Sequence, residues 1–300
     1  MAHQAKPLRS KLFVPGNKDA WLRKAPKYGA DALIFDLEDS VPEPDRPMAR
    51  QLVRSALADL GAQGQILLVR VNALDTGQTF DDFEAIVGPG LHGILLPKVS
   101  GPRDIIAVDT ALTWFERRAG LSEGIVVIEP LLEMASGMRE AYEIASASPR
   151  VAYLGAGTAK GADVARALGY EWTPEGLETL FVRSKVLLDA RAANVPYPMT
   201  GLWTDLHDLE GLRRFCLQSR QLGYVGMNAI YPGHIPTINE VFSPSEDEIA
   251  YWRELIVLLE EAERNGTTAI TFRGEMVDTA MVKTGRDRLA LAESLGRVSG

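Results

Sequence analysis

The sequence predicts a (β/α)8 barrel with a carboxyl-terminal extension, and three observations carry that expectation. Short apolar runs alternate with segments of helical periodicity, the pattern of parallel strands joined by crossover helices. Eight such strand signals fall within about 230 residues, which suits a closed barrel better than an open sheet. No Ser-, Gly- or Pro-rich tract divides them.

Each element has a local signal. The expected strands are 11–16 (KLFVPG), 32–38 (ALIFDLE), 66–72 (ILLVRVN), 93–99 (GILLPKV), 125–133 (IVVIEPLLE), 151–155 (VAYLG), 199–204 (MTGLWT) and 225–232 (VGMNAIYP). Helical periodicity marks 20–28, 48–60, 104–118, 135–146, 175–193 and 209–222. After the eighth strand, Ser245 reads as a helix N-cap, with acids in the following turn and an amphipathic run that ends in Asn-Gly. The rest of the chain reads as a strand (TTAITF) and then a helix. The expected division is a barrel over 9–243 and an extension over 244–300.

Composition narrows the function classes. The 300 residues are 46% hydrophobic and 24% charged, enough for a large core. A net charge of -8 argues against nucleic-acid or acidic-membrane binding, which needs a basic surface. The single cysteine, Cys216, excludes an intramolecular disulfide and a thiolate zinc cluster, and its helical context suits a small core residue. The amino end lacks a signal-peptide core, and no apolar run approaches the roughly 20 residues of a membrane span. The expected location is therefore the cytoplasm.

The stretch LIFDLEDSV ends a buried-strand pattern in three acids, Asp36, Glu38 and Asp39. Buried carboxylates must be paired, hydrogen-bonded or bound to a metal. Other strand ends are polar too: Arg70 and Asn72 on the third, Lys98 on the fourth, Glu129 and Glu133 on the fifth, with Asp163 after the sixth. Active sites of this fold gather at the carboxyl ends of the strands, so the repetition points to one shared site. The four histidines are scattered without ligand spacing, and a set of oxygen donors favours Mg2+ or Mn2+ over zinc. Mg2+ takes only one or two protein carboxylates, so most of these acids should contact its waters or other residues.

Seven segments then resemble the HpcH/HpaI aldolase and citrate lyase superfamily, in its citrate lyase β-subunit-like and malyl-CoA lyase branch. They are RSKLFVPGNK (9–18), DALIFDLEDSV (31–41), VRVNALDT (69–76), LLPKV (95–99), LLEMASG (131–137), GYEWTPEG (169–176) and RGEMVDTAMV (273–282), in family order over nearly the whole chain. The resemblance implies a Mg2+-dependent barrel, with Mn2+ as a substitute, that cleaves or forms a carbon–carbon bond between a 2-oxoacid and an acyl-CoA or other acyl thioester. It implies Glu133 and Asp163 as metal ligands, and Arg70 as the residue facing the reacting carbonyl. Phe13, Lys18, Lys24 and the position of Ala162 fall at the CoA or acyl contacts. Asp278 falls where a neighbouring subunit's carboxylate acts as acid/base in a homo-oligomer, a trimer or hexamer. The resemblance thus implies that the barrel is catalytic and that the extension packs on a neighbouring subunit. Asp36 and Glu38, with Asp39 beside them, would then accept hydrogen bonds from metal-bound waters.

Two departures bear on substrate choice. The segment YLGAGTAKGAD has a long Gly-rich loop and Ala162 where many relatives carry a glutamate, and Tyr231 in AIYP replaces a histidine. Three activities stay open: a stand-alone lyase of the malyl-, citramalyl- or citryl-CoA kind; an aldolase or thioesterase relative; and the β subunit of a multi-protein citrate lyase served by an acyl carrier protein.

Overall fold

The computed structural model describes residues 5–296. Within the unit that runs up to Phe242, strands and helices alternate. They are β1 (Ser10–Pro15), α1 (Asp19–Lys24), β2 (Ala32–Asp36), α2 (Arg46–Gly61), β3 (Ile66–Arg70), α3 (Thr79–Ile86), β4 (Gly93–Leu96), α4 (Pro102–Arg118) and β5 (Val127–Leu132). There follow α5 (Ala135–Arg139), α6 (Ala141–Ser146), β6 (Tyr153–Ala156), α7 (Asp163–Leu168), α8 (Leu177–Ala192), β7 (Tyr197–Thr200), α9 (Leu209–Leu222), β8 (Gly226–Ala229) and α10 (Ile235–Phe242). The strands pair in parallel in sequence order, and β8 returns to β1, so the sheet is a closed eight-stranded barrel. The expected fold class is the observed one.

Strand alternation sorts the core into two shells. Leu33, Phe35, Leu67, Val69, Ile94 and Met227 face the helices. Ala32, Ile34, Leu68, Leu95, Val127 and Met199 fill the barrel. Cys216 is buried in the helix-facing shell, where burial pushes its thiol up to about 12 and so makes it a poor nucleophile. Among the described residues no helix is long and apolar enough to cross a membrane.

The boundaries differ from the sequence reading in physically telling places. The expected strand 32–38 stops at Asp36 because that carboxylate folds back onto the backbone N–H groups of Glu38 and Ser40. The expected helix 20–28 tightens into a 3-10 turn at Pro26, and 135–146 splits at Glu140. The short helices α3, α7 and α10 give too little periodic pattern to be legible.

The barrel interior also holds an ion pair. Lys11 of β1 reaches Glu129 of β5, both buried, and its ammonium lies 4.6 Å from the Tyr153 ring centroid. Glu129 is thus a barrel-core residue and not part of the strand-end site that the sequence suggested. Burial lowers the Lys11 pKa, and Glu129 offsets that in part. Glu129→Gln would leave a buried ammonium unpaired, so it is expected to cost about 3–5 kcal/mol of unfolding free energy, read from denaturant titration. The double variant Lys11→Met/Glu129→Leu should recover most of that loss.

The second unit begins at Ser243. It comprises α11 (Glu246–Arg264), β9 (Ala269–Phe272), β10 (Glu275–Asp278) and α12 (Ala280–Ser294). Ser245 caps α11 in a reciprocal box with Glu248. The sequence reading missed β10. Arg273 (φ 50°) and Gly274 (φ 89°) are both left-handed, as a two-residue hairpin connection requires, and they fold β10 antiparallel onto β9. Leu255, Leu259, Phe272 and Val277 form the core of this unit.

Candidate active site

The register of β2 and β3 sets Asp36 beside Arg70 at their carboxyl ends. Arg70 donates from Nε to Asp36 Oδ1 at 2.7 Å and from Nη2 to Oδ2 at 2.6 Å, a bidentate pair. Asp36 also accepts from the backbone N–H groups of Glu38 and Ser40, each at 3.0 Å, and from Ser40 Oγ at 2.5 Å. Burial pushes the Asp36 carboxyl up, but the donors of Arg70, then of Ser40 and Glu38, hold it below the ordinary carboxylate range. All four of its lone-pair directions are taken by protein donors. Asp36 therefore anchors Arg70 and has no capacity left for a metal-bound water, which corrects the role expected from the sequence.

Glu38 and Asp39 complete the cluster with Lys98. Lys98 Nζ donates to Glu38 Oε1 at 2.7 Å and lies 3.7 Å from Asp39 Oδ1. Arg70 Nη1 is 3.1 Å from Glu38 Oε2 and 3.5 Å from Asp39 Oδ2. The first contact lacks hydrogen-bond geometry, so Glu38 Oε2 is buried without a hydrogen-bond donor. Burial raises the Glu38 carboxyl, partly offset by Arg70 and Lys98. Arg70 stacks on Phe13, with Cζ 5.1 Å from the ring centroid.

Glu133 follows β5, and Lys98 donates its backbone N–H to Oε2 at 3.3 Å. Burial, with the nearby charges of Glu38 and Asp163, pushes the Glu133 carboxyl up to about 7 against the pull of Arg70. Gly157 lies against this side chain: a Cβ there would come within 3.2 Å of Glu133 Cγ. Asp163 opens α7 after Ala162, and among the described residues it pairs only with Arg166, at 2.7 Å, whose side chain is 82% exposed and a weak competitor. Negative charge here exceeds what the protein's donors compensate, and the donor atoms are oxygens, which fits a hard divalent cation. Among the described residues no group of three or more His, Cys, Asp or Glu is arranged to hold a metal. A cation would thus have at most the two carboxylates Glu133 and Asp163, and water or substrate oxygens, the pattern of Mg2+.

The structure brings together Phe13, Asp36, Glu38, Asp39, Arg70, Glu133 and Asp163. Lys18 and Lys24 are exposed around α1, and among the described residues no hydrogen bond or ion pair ties them to this cluster; Lys24 lies over Tyr28. Asp278 ends β10 in the second unit, exposed, with Oδ1 accepting from the Ala280 N–H at 3.0 Å. Asn72 leaves the site and braces α3 by donating to Asp82 at 2.8 Å. The sequence marks Lys98 only as a polar strand end; its contacts with both Glu38 and Glu133 emerge from the fold.

A model of the HpcH/HpaI aldolase/citrate lyase family matches residues 9–232, the barrel and its strand-end cluster. The chain belongs to that family. Among its relatives is the (3S)-malyl-CoA thioesterase of Cereibacter sphaeroides, 37% identical over 98% of both chains. The citrate lyase subunit beta of Leuconostoc mesenteroides subsp. cremoris is 35% identical over 95% of this chain and 93% of its own. Of solved structures, CitE from Mycobacterium tuberculosis in complex with magnesium, acetoacetate and coenzyme A superposes with a TM-score of 0.72. It is 26% identical over 97% of this chain and 99% of its own. A Burkholderia xenovorans citrate lyase, 19% identical over 98% of this chain and 94% of its own, matches in fold with a TM-score of 0.81. Family membership makes the chain an enzyme of the citrate lyase β-like group.

Proposed function

We propose that the protein is a Mg2+-dependent carbon–carbon lyase that cleaves or forms a 3-hydroxyacyl-CoA of the malyl, citramalyl or citryl kind, with a 2-oxoacid and an acyl-CoA as the other partners. The observation that carries this reading is the anchored Arg70 beside the under-compensated pair Glu133 and Asp163. In retro-Claisen cleavage, negative charge develops on an oxygen of the departing 2-oxoacid fragment and on the thioester enolate. Mg2+, when bound by Glu133 and Asp163, supplies Lewis-acid stabilisation to oxygens of the 2-oxoacid. Arg70, fixed on its Nε and Nη2 edge by Asp36, offers to the developing charge its Nη1, which in the structure makes only a long 3.5 Å hydrogen bond to Asp39 among the described residues. Phe13 supports the guanidinium from one face. Lys18, Lys24 and the Ala162 segment are the proposed contacts for the CoA or acyl part. Asp278, brought from a neighbouring subunit of a homo-oligomer, is the proposed acid that protonates the enolate carbon.

A second reading, hydrolysis of the thioester, is favoured by the Cereibacter relative named a thioesterase. A citrate lyase β subunit that takes its substrate from an acyl carrier protein is favoured by the Leuconostoc relative. Purified protein given Mg2+ and malyl-CoA separates these readings by product. A lyase yields glyoxylate and acetyl-CoA, a thioesterase malate and free CoA. The carrier-dependent subunit is inactive on CoA esters and active on acyl carrier protein. Arg70→Lys keeps the charge and loses the planar fork, so turnover is expected to fall about a hundredfold with KM changed less than about fivefold. Turnover equal to the parent would remove Arg70 from the chemistry.

A further inference from the structure

We propose that Lys98 is a positioning residue: its ammonium shares Glu38 and Asp39 with Arg70 and so weakens their hold on Nη1, the atom of the guanidinium that a substrate oxygen would take. The inference rests on Arg70 serving as proposed above. Lys98 follows Pro97 at the end of β4 with φ 54°, a left-handed backbone that glycine adopts freely and a lysine does not. A side chain kept at such a position needs a task that glycine cannot perform. The contacts of the ammonium supply one. Asp36 occupies Nε and Nη2 of Arg70, which leaves Nη1 as the edge that can face a substrate. Two further carboxylates compete for that atom: Asp39 Oδ2 accepts a long hydrogen bond from it at 3.5 Å, and Glu38 Oε2 stands 3.1 Å away without hydrogen-bond geometry.

Lys98 competes with Arg70 for both of them. Its Nζ takes Glu38 Oε1 at 2.7 Å and sits 3.7 Å from Asp39 Oδ1. Glu38 Oε2 is consequently left beside Nη1 without hydrogen-bond geometry, a buried acceptor with an unused lone pair. Without the ammonium, Arg70 is the one cation within ion-pair distance of Glu38 and Asp39 among the described residues. Glu38 would rotate to complete its hydrogen bond, and a substrate oxygen would have to displace a more tightly held carboxylate from Nη1.

The test combines labelling of Arg70 by phenylglyoxal, read by peptide mass spectrometry in the presence of Mg2+, with steady-state kinetics on malyl-CoA. In K98M, labelling of Arg70 is expected to slow about fivefold or more and kcat to fall about thirtyfold, with KM within about threefold of the parent. K98R, which restores a cation, should return labelling to within about twofold of the parent. K98Q replaces K98M if the latter does not fold. Unchanged labelling in the uncharged variant overturns the proposal, and so does slowed labelling that K98R fails to restore. Should the parent turn over neither malyl-CoA nor any related thioester, the lyase reading falls while the labelling still decides the place of Lys98.

Discussion

Glu133→Gln and Asp163→Asn are each expected to lower Mg2+-dependent turnover by about a thousandfold or more, because each removes one of only two protein ligands proposed for the ion. Mg2+ titration by calorimetry should show the same loss in binding, and circular dichroism should show the barrel unchanged. Either variant with full turnover would sink the site assignment. Glu133→Gln has a second signature in metal-free protein. Burial, with Glu38 and Asp163, places the Glu133 carboxyl at about 7 in the fold, above the value near 4.5 expected of an unfolded glutamate. The sign follows from linkage: a raised carboxyl favours the folded state while protonated, and it costs stability as pH rises from about 4.5 through about 7. The glutamine variant in EDTA should therefore be more stable than the parent at pH 8, by about 2 kcal/mol after allowance for partial solvent access, and no different near pH 4. Equal stability of the two at pH 8 would mean that the carboxylate is not under-compensated.

What could be read in advance divides along physical lines. The eight strands were legible because most of them are short, largely apolar runs, a pattern set by burial on both faces. The acids at the end of β2 were legible as an anomaly, since Asp36 is a carboxylate where the pattern demands an apolar residue. Their partners were not, because the pairing of Asp36 with Arg70 depends on the register of two strands, and that of Glu38 with Lys98 on residues sixty positions apart. Glu129 shows the converse. Sequence position alone put it with Glu133 at the strand end, while the closure of the barrel carried it across to Lys11. Lys98 was hidden for another reason: a left-handed backbone on a lysine leaves no mark in the sequence that a turn-forming glycine or asparagine would have left.

Asp278→Asn is expected to cut turnover about a hundred- to ten-thousandfold while leaving Mg2+ and acyl-CoA binding within about threefold of the parent, since it removes the proposed proton donor and neither of the proposed ligands. The reasoning starts from the hairpin. Asp278 closes β10 in a unit with its own small core, exposed and, among the described residues, with its carboxylate hydrogen-bonded only to the Ala280 N–H, so its carboxylate has no structural duty whose loss would unfold the unit. A proton donor on a separate, compact arm can be presented to a site after substrate has bound, which excludes water while the enolate exists. If the site receiving it belongs to another copy of the chain, two inactive proteins carry complementary halves: Arg70→Ala keeps a good Asp278, and Asp278→Asn keeps a good Arg70. Mixed and allowed to exchange subunits, they should recover a measurable fraction of parent turnover, because some interfaces unite one intact Arg70 with one intact Asp278. The recovered activity should scale with the fraction of mixed oligomers, followed by native mass spectrometry of differently tagged chains. Exchange without recovery would place Asp278 in its own chain's site or outside the chemistry. Recovery, by contrast, would show that the second unit exists to complete a neighbour, and that a monomeric variant of the protein should bind Mg2+ and substrate yet fail to turn over.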